Sequence, residues 1–162
     1  AGLNRGVLGN VIEAKIRLNQ SERDKLYDAK INPIATFPAT GVCIWGQKTL
    51  QERSTALDRI NVRRLLIALK KFIGSSSKFL VFEQNTQATR NRFLNIVNPY
   101  LESVQQRQGL FAFRVQMDET NNTPTEVDRN QLVGAIYLQP TKTAEFIVLD
   151  FNVLPTGATF DS

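Results

Sequence analysis

Histidine is absent from this 162-residue sequence, and cysteine and methionine each occur only once. The lack of histidine excludes Ser-His-Asp and Cys-His catalysis, histidine general bases and nearly all zinc sites. The sequence also contains no Walker pattern and no GxGxxG pattern, which are the common signatures of phosphate binding. The sequence therefore predicts a protein that is not an enzyme and that binds no cofactor.

Long apolar runs are also missing. The longest ones, such as residues 65–69, are far too short to cross a bilayer, so no membrane partner is expected. Cys43 cannot form a disulfide within the chain, in keeping with synthesis in the cytoplasm, and its apolar neighbours predict a core position. No signal peptide is visible, and because the chain starts with alanine we expect an N-terminal part to have been removed.

A carboxylate metal site is one alternative that the missing histidine leaves open. Asp118 and Glu119 are adjacent, but the sequence TNNTP follows them. Acidic residues are common in turns of that composition, so we expect a turn here and no metal.

Hydrophobic periodicity predicts two long helices. The first begins at a cap on Asp58 or Asn61 and continues to about Phe82, and the second covers residues 86–108 and stops at a left-handed Gly109. Their apolar stripes are Val62, Leu65, Leu66, Leu69, Phe72 and Ile73 in the first and Phe93, Val97, Tyr100, Leu101 and Val104 in the second. A shorter helix should start at a capping box of Ser21 and Asp24 and end near Ala29.

Alternating patterns predict the strands. These lie at residues 11–18, 42–45, 110–117, 132–138 and 145–153. Within 110–117, Phe111, Phe113, Val115 and Met117 should share one face. The short link at residues 140–143 favours an antiparallel hairpin between the last two strands. The predicted fold class is α+β, with two long helices packed on one face of a mostly antiparallel sheet.

The last predicted strand is apolar on both faces, because Phe146 and Val148 lie opposite Ile147 and Leu149. A sheet covered by helices on one side should be polar on the other. Either this strand is central within the domain, or a neighbouring subunit or another part of the chain covers it. Phe146, Val148 and the following Leu154 are therefore candidates for an inter-subunit strand.

The net charge is +5, and part of the positive excess is concentrated on the first long helix. The basic residues there are Arg59, Arg63, Arg64, Lys70 and Lys71. An ordinary solvated face, a surface for an acidic protein and a nucleic-acid site all remain open. Nucleic acid is the less favoured partner because no exposed aromatic residue accompanies the charges and no helix-turn-helix, RRM or KH signature occurs.

One stretch carries a family resemblance. Residues 37–66, FPATGVCIWGQKTLQERSTALDRINVRRLL, place a short strand, a GQKTL turn and an arginine-rich helix in order. This order resembles the sheath protein of contractile phage tails and related contractile injection machines, with a leaning towards large myophages. Further matching segments are AGLNRG (1–6), LNQSERDKLYDAKINPI (18–34), VDRNQL (127–132) and PTKTAEFIVL (140–149).

The resemblance implies a structural subunit of the virion tail. Such subunits form a helical sleeve around the tail tube and contract to drive it through the host envelope for DNA ejection. The implied partners are copies of the same chain, the tail tube protein and the baseplate and tail terminator proteins. The basic residues of the first long helix, or the region of Arg90 and Arg92, would then face an acidic tube. A basic nucleic-acid-binding module is the alternative function.

The resemblance also implies a domain organisation. Residues 1–36 would link to a missing upstream part, residues 37–154 would form the sheath core, and residues 155–162 would form a C-terminal arm or its root, starting near Leu154. Sheath arms add strands to an adjacent subunit's sheet, a form of β-augmentation. Because the N-terminal arm is expected to be absent, we expect this chain to be monomeric or weakly associating in dilute solution.

Overall fold

The computed structural model describes residues 1–149 of the chain. It contains both helices and strands, and short 3-10 turns at Ala56–Asp58 and Lys78–Leu80 flank the second helix. The elements are α1 (Gln20–Asp28), β1 (Ile34–Phe37), β2 (Gly41–Ile44), α2 (Ile60–Ser77), α3 (Gln87–Gln106), β3 (Leu110–Gln116), α4 (Pro124–Asp128) and β4 (Ala135–Pro140). Within the described range, no helix is both long and apolar enough to cross a membrane.

The N-terminal segment differs from the prediction in two ways. Residues 11–18 form no strand, and Ile12 and Ile16 are exposed, because no strand edge within the described residues lies beside them. The helix after them is confirmed, but its capping box is formed by Asn19 and Glu22. The Asn19 side chain accepts a 2.9 Å hydrogen bond from the Glu22 amide, and the Glu22 carboxylate accepts one of 2.8 Å from the Asn19 amide.

Helices α2 and α3 supply the main core. Leu69, Val97 and Leu101 are fully or almost fully buried between them, and the rings of Phe72 and Tyr100 stack with centroids 3.7 Å apart. The predicted continuation of the first long helix is confirmed as far as Leu80, which the 3-10 turn brings into the core. Neither Asp58 nor Asn61 caps α2, because its N-cap position is occupied by Arg59, which makes no side-chain capping bond.

The end of α3 corrects a second prediction. Gln108 adopts the left-handed conformation with φ 62°, whereas the sequence suggested Gly109 for that role. Gly109 is needed for close packing, because a Cβ atom there would lie 2.9 Å from Cγ1 of Val104. The glycine therefore lets the chain turn tightly from α3 into β3.

The sheet is divided. Within residues 1–149, β1 pairs with β2 and β3 pairs with β4, both antiparallel, and the two pairs are separate. The α+β class and the two long helices are confirmed, and α3 packs on β3. Cys43 is fully buried in β2, as predicted. Residues 2–8 run along the other side of β2, where the Ile44 amide donates a 2.8 Å hydrogen bond to the Gly6 carbonyl.

A β-bulge in β3 changes which side chains face the core. The register between β3 and β4 shifts between Leu110 and Ala112, so Leu110 is buried and Phe111 is exposed. Phe113, Val115 and Met117 do share the core face, but the prediction for Phe111 is wrong. The extra residue of a bulge reverses which side chains beyond it face the core, so a prediction from a strict period of two residues fails there.

The predicted third strand of this sheet is not formed by the described residues. Residues 141–149 contain no strand, so the hairpin across residues 140–143 is also wrong as far as Leu149. Residues 150–153 of that predicted strand lie outside the described residues. The alternative of a central strand is excluded for Phe146 and Val148, whose exposures are 82% and 91%.

Residues 118–122 form the predicted turn. The Asp118 carboxylate accepts a 2.9 Å hydrogen bond from the Thr120 amide. The buried Asn122 then joins the turn to the chain before β4, because its side chain exchanges two 2.8 Å hydrogen bonds with the backbone of Val133. In the part of the chain that the structure describes, no cluster of three or more possible metal ligands occurs. Helix α4, which the periodicity did not indicate, follows this turn.

Candidate functional site

The outer surface of α2 is a basic face. We use this name for Arg63, Arg64, Lys70 and Lys71, all of which are exposed. At 100° per residue these four side chains fall within an arc of about 120°, with Ile67 inside the same arc. Helix α2 contains no acidic residue. Among residues 1–149 none of the four is in an ion pair, so no described residue neutralises the charge of the basic face through an ion pair.

Arg59 does not belong to this face, although the sequence grouped it with the others. It lies at the N-cap of α2 and forms a two-bond fork with Glu145. Its Nε donates to Oε1 at 2.6 Å and its Nη2 donates to Oε2 at 2.9 Å. Asp58 also approaches Arg59, with Oδ1 3.3 Å from Nη1.

The alternative basic region around α3 is less exposed. Arg90 is buried, and its Nε donates a 3.0 Å hydrogen bond to Oδ1 of Asn85. Arg92 is exposed. The N-terminal part of α3 therefore offers one exposed arginine of the predicted pair, compared with the four cations of the basic face.

The GQKTL turn of the resemblance motif, residues 46–50, contributes Gln47 to the surroundings of Glu145. Asn32 holds this turn, because its side chain accepts a 2.8 Å hydrogen bond from the Lys48 amide and donates one of 2.9 Å to the Lys48 carbonyl. Nζ of Lys48 lies 3.9 Å from the ring centroid of Tyr27 and donates to the Tyr27 carbonyl at 2.8 Å. A Cβ atom on Gly46 would lie 2.8 Å from Oδ1 of Asn32, so glycine permits this contact.

Glu145 lies in a polar pocket formed by three parts of the chain. Arg59 comes from the start of α2, Gln47 from the GQKTL turn and Tyr27 from α1, and Nε2 of Gln47 is 3.4 Å from Oε1 of Glu145. Burial alone raises the pKa of Glu145, but hydrogen bonds from Arg59 and Tyr27 outweigh it and hold the pKa below its usual range. The carboxylate therefore stays charged at neutral pH, and its stabilising contribution is lost only as pH falls through this lowered pKa.

Tyr27 provides a pH test of this pocket. Burial and the hydrogen bond with Glu145 raise the pKa of Tyr27 to about 12. Because the raised pKa favours the neutral phenol, its contribution to stability is present below pH 10 and lost as pH rises through about 12.

We expect an ultraviolet titration of tyrosinate to show one tyrosine that ionises near pH 12. Tyr27→Phe should remove that step, and Glu145→Gln should move it to lower pH. An unchanged high-pH step in Tyr27→Phe would assign it to another tyrosine.

The residues directly after Glu145 are an exposed apolar segment. We use this name for Phe146, Ile147, Val148 and Leu149, all of which face solvent. Isolated exposed apolar residues are ordinary, but four in succession are typical of an interaction site. The third candidate of the predicted inter-subunit strand, Leu154, lies outside the described residues, as do residues 155–162.

A second exposed apolar group was missed by the sequence analysis. Phe79, Val81 and Phe82 are exposed where α2 leads into α3, and only Leu80 turns inwards. The periodicity contained a signal for this. If α2 is extended at 3.6 residues per turn, Val81 and Phe82 fall on the side of the basic face and not on the apolar stripe.

Comparison with known proteins decides the family. The family described as phage tail sheath C-terminal domain matches residues 52–154. This chain belongs to that family. The match covers α2, α3 and the β3–β4 pair, so it includes both the basic face and the exposed apolar segment. Because the family is one of structural tail sheath proteins, the predictions of a sheath protein and of no enzymatic activity are confirmed.

Curated relatives of this sheath domain come from phages. The chain is 42% identical over 161 residues to the tail sheath protein of Enterobacteria phage T4 and 41% identical over 160 residues to that of Vibrio phage KVP40. The tail sheath protein of Salmonella phage ViI is 36% identical over 157 residues. The alignments cover 97–99% of this chain, which spans about a quarter of the length of each relative.

Solved structures with the same fold come from contractile injection systems. The sheath complex of the extracellular contractile injection system PVC, in its contracted state, gives a TM-score of 0.79 at 29% identity, covering 88% of this chain and 44% of that one. The contracted helical sheath of the anti-feeding prophage gives 0.79 at 26% identity, covering 90% and 43%. The baseplate structure of the same prophage gives 0.80 at 26% identity, covering 91% and 43%.

Proposed function

We propose that this chain is the C-terminal sheath domain of a contractile tail subunit. Copies of the whole protein would assemble helically around a tail tube and rearrange into a shorter, wider sleeve. The observation that carries the proposal is the family match together with structures of contracted sheaths that share the fold. The proposed location is the virion tail, and the proposed partners also include the baseplate and the tail terminator.

The exposed apolar segment is the proposed contact with a second copy. It has strand-forming residues, it is solvent-exposed, and in the described residues it pairs with no other strand. An extended segment of this kind gains backbone hydrogen bonds and buries alternate side chains when it joins the edge of another sheet. The β3–β4 pair of a neighbouring subunit provides such an edge, because it is only two strands wide in residues 1–149.

The basic face is the proposed contact with the tail tube. Its four cations are exposed and unpaired among the described residues, so an acidic surface would supply their counter-charges. Each exposed ion pair contributes only about 0–1 kcal/mol. Many weak pairs along a tail can hold a sleeve in place and still be broken and remade as it moves.

Reversing two charges tests the contact with the tube. We expect Arg63→Glu with Lys70→Glu to weaken co-sedimentation of the full-length sheath protein with its tube by roughly tenfold at low salt, with little effect at high salt because exposed charges are then screened. Arg129→Glu is a control, since Arg129 is an exposed arginine that follows α4 and lies neither on the basic face nor in the β3–β4 pair. Unchanged co-sedimentation of the double variant at low salt would contradict the assignment.

Electron microscopy tests the function as a whole. The full-length protein should form helical sleeves, more regularly when its tube partner is co-expressed, and these sleeves should exist in a long and a short state. If it forms no polymer with or without the tube, the proposal fails. Binding to DNA that falls steeply with salt would instead favour the nucleic-acid alternative.

A further inference from the structure

The exposed apolar segment leaves the domain at a defined point. After β4, the Thr141 amide lies 3.4 Å from the Gly109 carbonyl, and the next polar contacts to the rest of the domain are those of Thr143 and Glu145 with Gln47 and of Glu145 with Arg59. Between these points Lys142 and Ala144 are exposed. Glu145 is therefore the last held residue before four apolar side chains that face solvent.

We propose that the fork between Arg59 and Glu145 is an anchor that positions the exposed apolar segment for docking on a second copy of the chain. The inference rests on the proposed docking role of that segment and adds the residues that prepare it. Glu145 acts here as a positioning residue, because it sets where and in what direction Phe146 begins.

The geometry supports an anchor over an incidental surface pair. Two parallel hydrogen bonds of 2.6 Å and 2.9 Å fix the carboxylate in both distance and orientation. Only 16% of the Glu145 side chain and 30% of the Arg59 side chain are exposed, so the pair is partly shielded from water. Isolated surface pairs lack both properties and contribute little.

Hydrogen bonds also join the segments that surround Glu145 to one another. Arg59 is joined to α2, and the Ile60 amide that follows it donates a 2.8 Å hydrogen bond to the carbonyl of Gln47. Gln47 in turn belongs to the turn that Asn32 holds. A segment held at such a point loses less conformational freedom when it docks, and preorganisation of this kind increases affinity.

Spin labelling of the chain measures the anchor directly. Ala144 is exposed and adjacent to Glu145, whereas Cys43 is fully buried, so a nitroxide reagent will label Ala144→Cys selectively. We expect restricted motion of the label in the parent chain and a rotational correlation time roughly threefold shorter after Glu145→Gln, as for a released loop. Asp58→Asn is the matched control, because it removes the other carboxylate beside Arg59 and leaves the fork intact.

Sheath assembly of the full-length protein provides the second measurement. Because a released segment must be ordered on docking, we expect Glu145→Gln to raise the critical concentration about tenfold and Asp58→Asn to leave it unchanged. Circular dichroism checks that both variants are folded. The anchor proposal is overturned by either of two results. One is that the label moves in the folded Glu145→Gln variant as it does in the parent. The other is that the label moves faster but the critical concentration for assembly does not change.

These outcomes can be separated from failure of the proposed docking role. Serine substitutions at Phe146 and Val148 test docking without touching the fork. If they leave assembly intact, the segment is not the docking element and the positioning role falls with it. If Glu145→Gln then still increases the motion of the label at residue 144, the fork holds the segment within the domain but does not position it for docking.

Discussion

Full-length sheath protein carrying Phe146→Ser and Val148→Ser is expected to form no sheaths at concentrations where the parent protein assembles completely. Both side chains are almost entirely exposed in the domain, so their loss should not reduce its stability. In a strand joined to a neighbour's sheet, each would bury an apolar side chain with a contribution of about 1.5–3 kcal/mol. Losing both at every contact should raise the critical concentration at least about a hundredfold.

Sedimentation and negative-stain microscopy over a concentration series measure this effect. Leu50→Ser is a suitable control, because Leu50 is also largely exposed but lies far along the chain from the exposed apolar segment. The thermal midpoint of all three proteins should agree. Normal sheaths from the double variant at the parent's critical concentration would remove this segment from the interface.

The second large effect is expected from Leu101→Ala in α3. Leu101 is fully buried in the core between α2, α3 and β3, and an alanine would leave a cavity that the packed helices cannot close. We expect the free energy of unfolding to fall by about 3–4 kcal/mol, within the usual range for buried leucine. For a chain of this size the thermal midpoint should fall by roughly 8–14 °C.

Urea titration followed by circular dichroism measures the change. Ile96→Ala provides a control in the same helix, because Ile96 is 40% exposed and its truncation leaves no cavity. That variant should lose less than about 1 kcal/mol. Equal losses in the two variants would mean that the stability of α3 does not depend on the core around Leu101.

The helices were predictable because their signal is local and repeated. Helices α2 and α3 extend over 18 and 20 residues, so the stripe of Leu69 and the stripe of Leu101 repeat several times and the period is unambiguous. Their ends were less predictable. A cap depends on a single side chain, and Asn19 and Gln108 took positions for which Ser21 and Gly109 were equally suitable in the sequence.

Strands were harder to predict because alternation does not name a partner. Residues 11–18 alternate well, yet in the described residues no edge lies beside them and Ile12 stays exposed. The same applies to Phe146, which is exposed and belongs to no strand in the described residues, and for which we propose a partner on a second copy. A strand is stabilised by the strand beside it. Alternation in the sequence is the same whether that neighbouring strand belongs to the same chain or to another copy.

One part of the candidate site could be predicted from the sequence and another part could not. The basic face could be found because its cations follow one another on a single helix. The fork between Arg59 and Glu145 joins residues 86 apart, and no local pattern indicates such a pair. The sequence assigned Arg59 to the exposed patch for the same reason: a charge looks alike whether its partner is solvent or a distant carboxylate.

Arg59 joins the residue before the exposed apolar segment to the start of α2. Arg59 directly precedes Ile60, the first residue of α2, and the basic face begins one turn later. A pull on the C-terminal segment by a neighbouring copy would therefore be transmitted through Glu145 to the end of a stiff rod, without first stretching a loop. If the segment docks on a second copy and the basic face docks on the tube, as proposed above, a displacement at one contact would be accompanied by a displacement at the other.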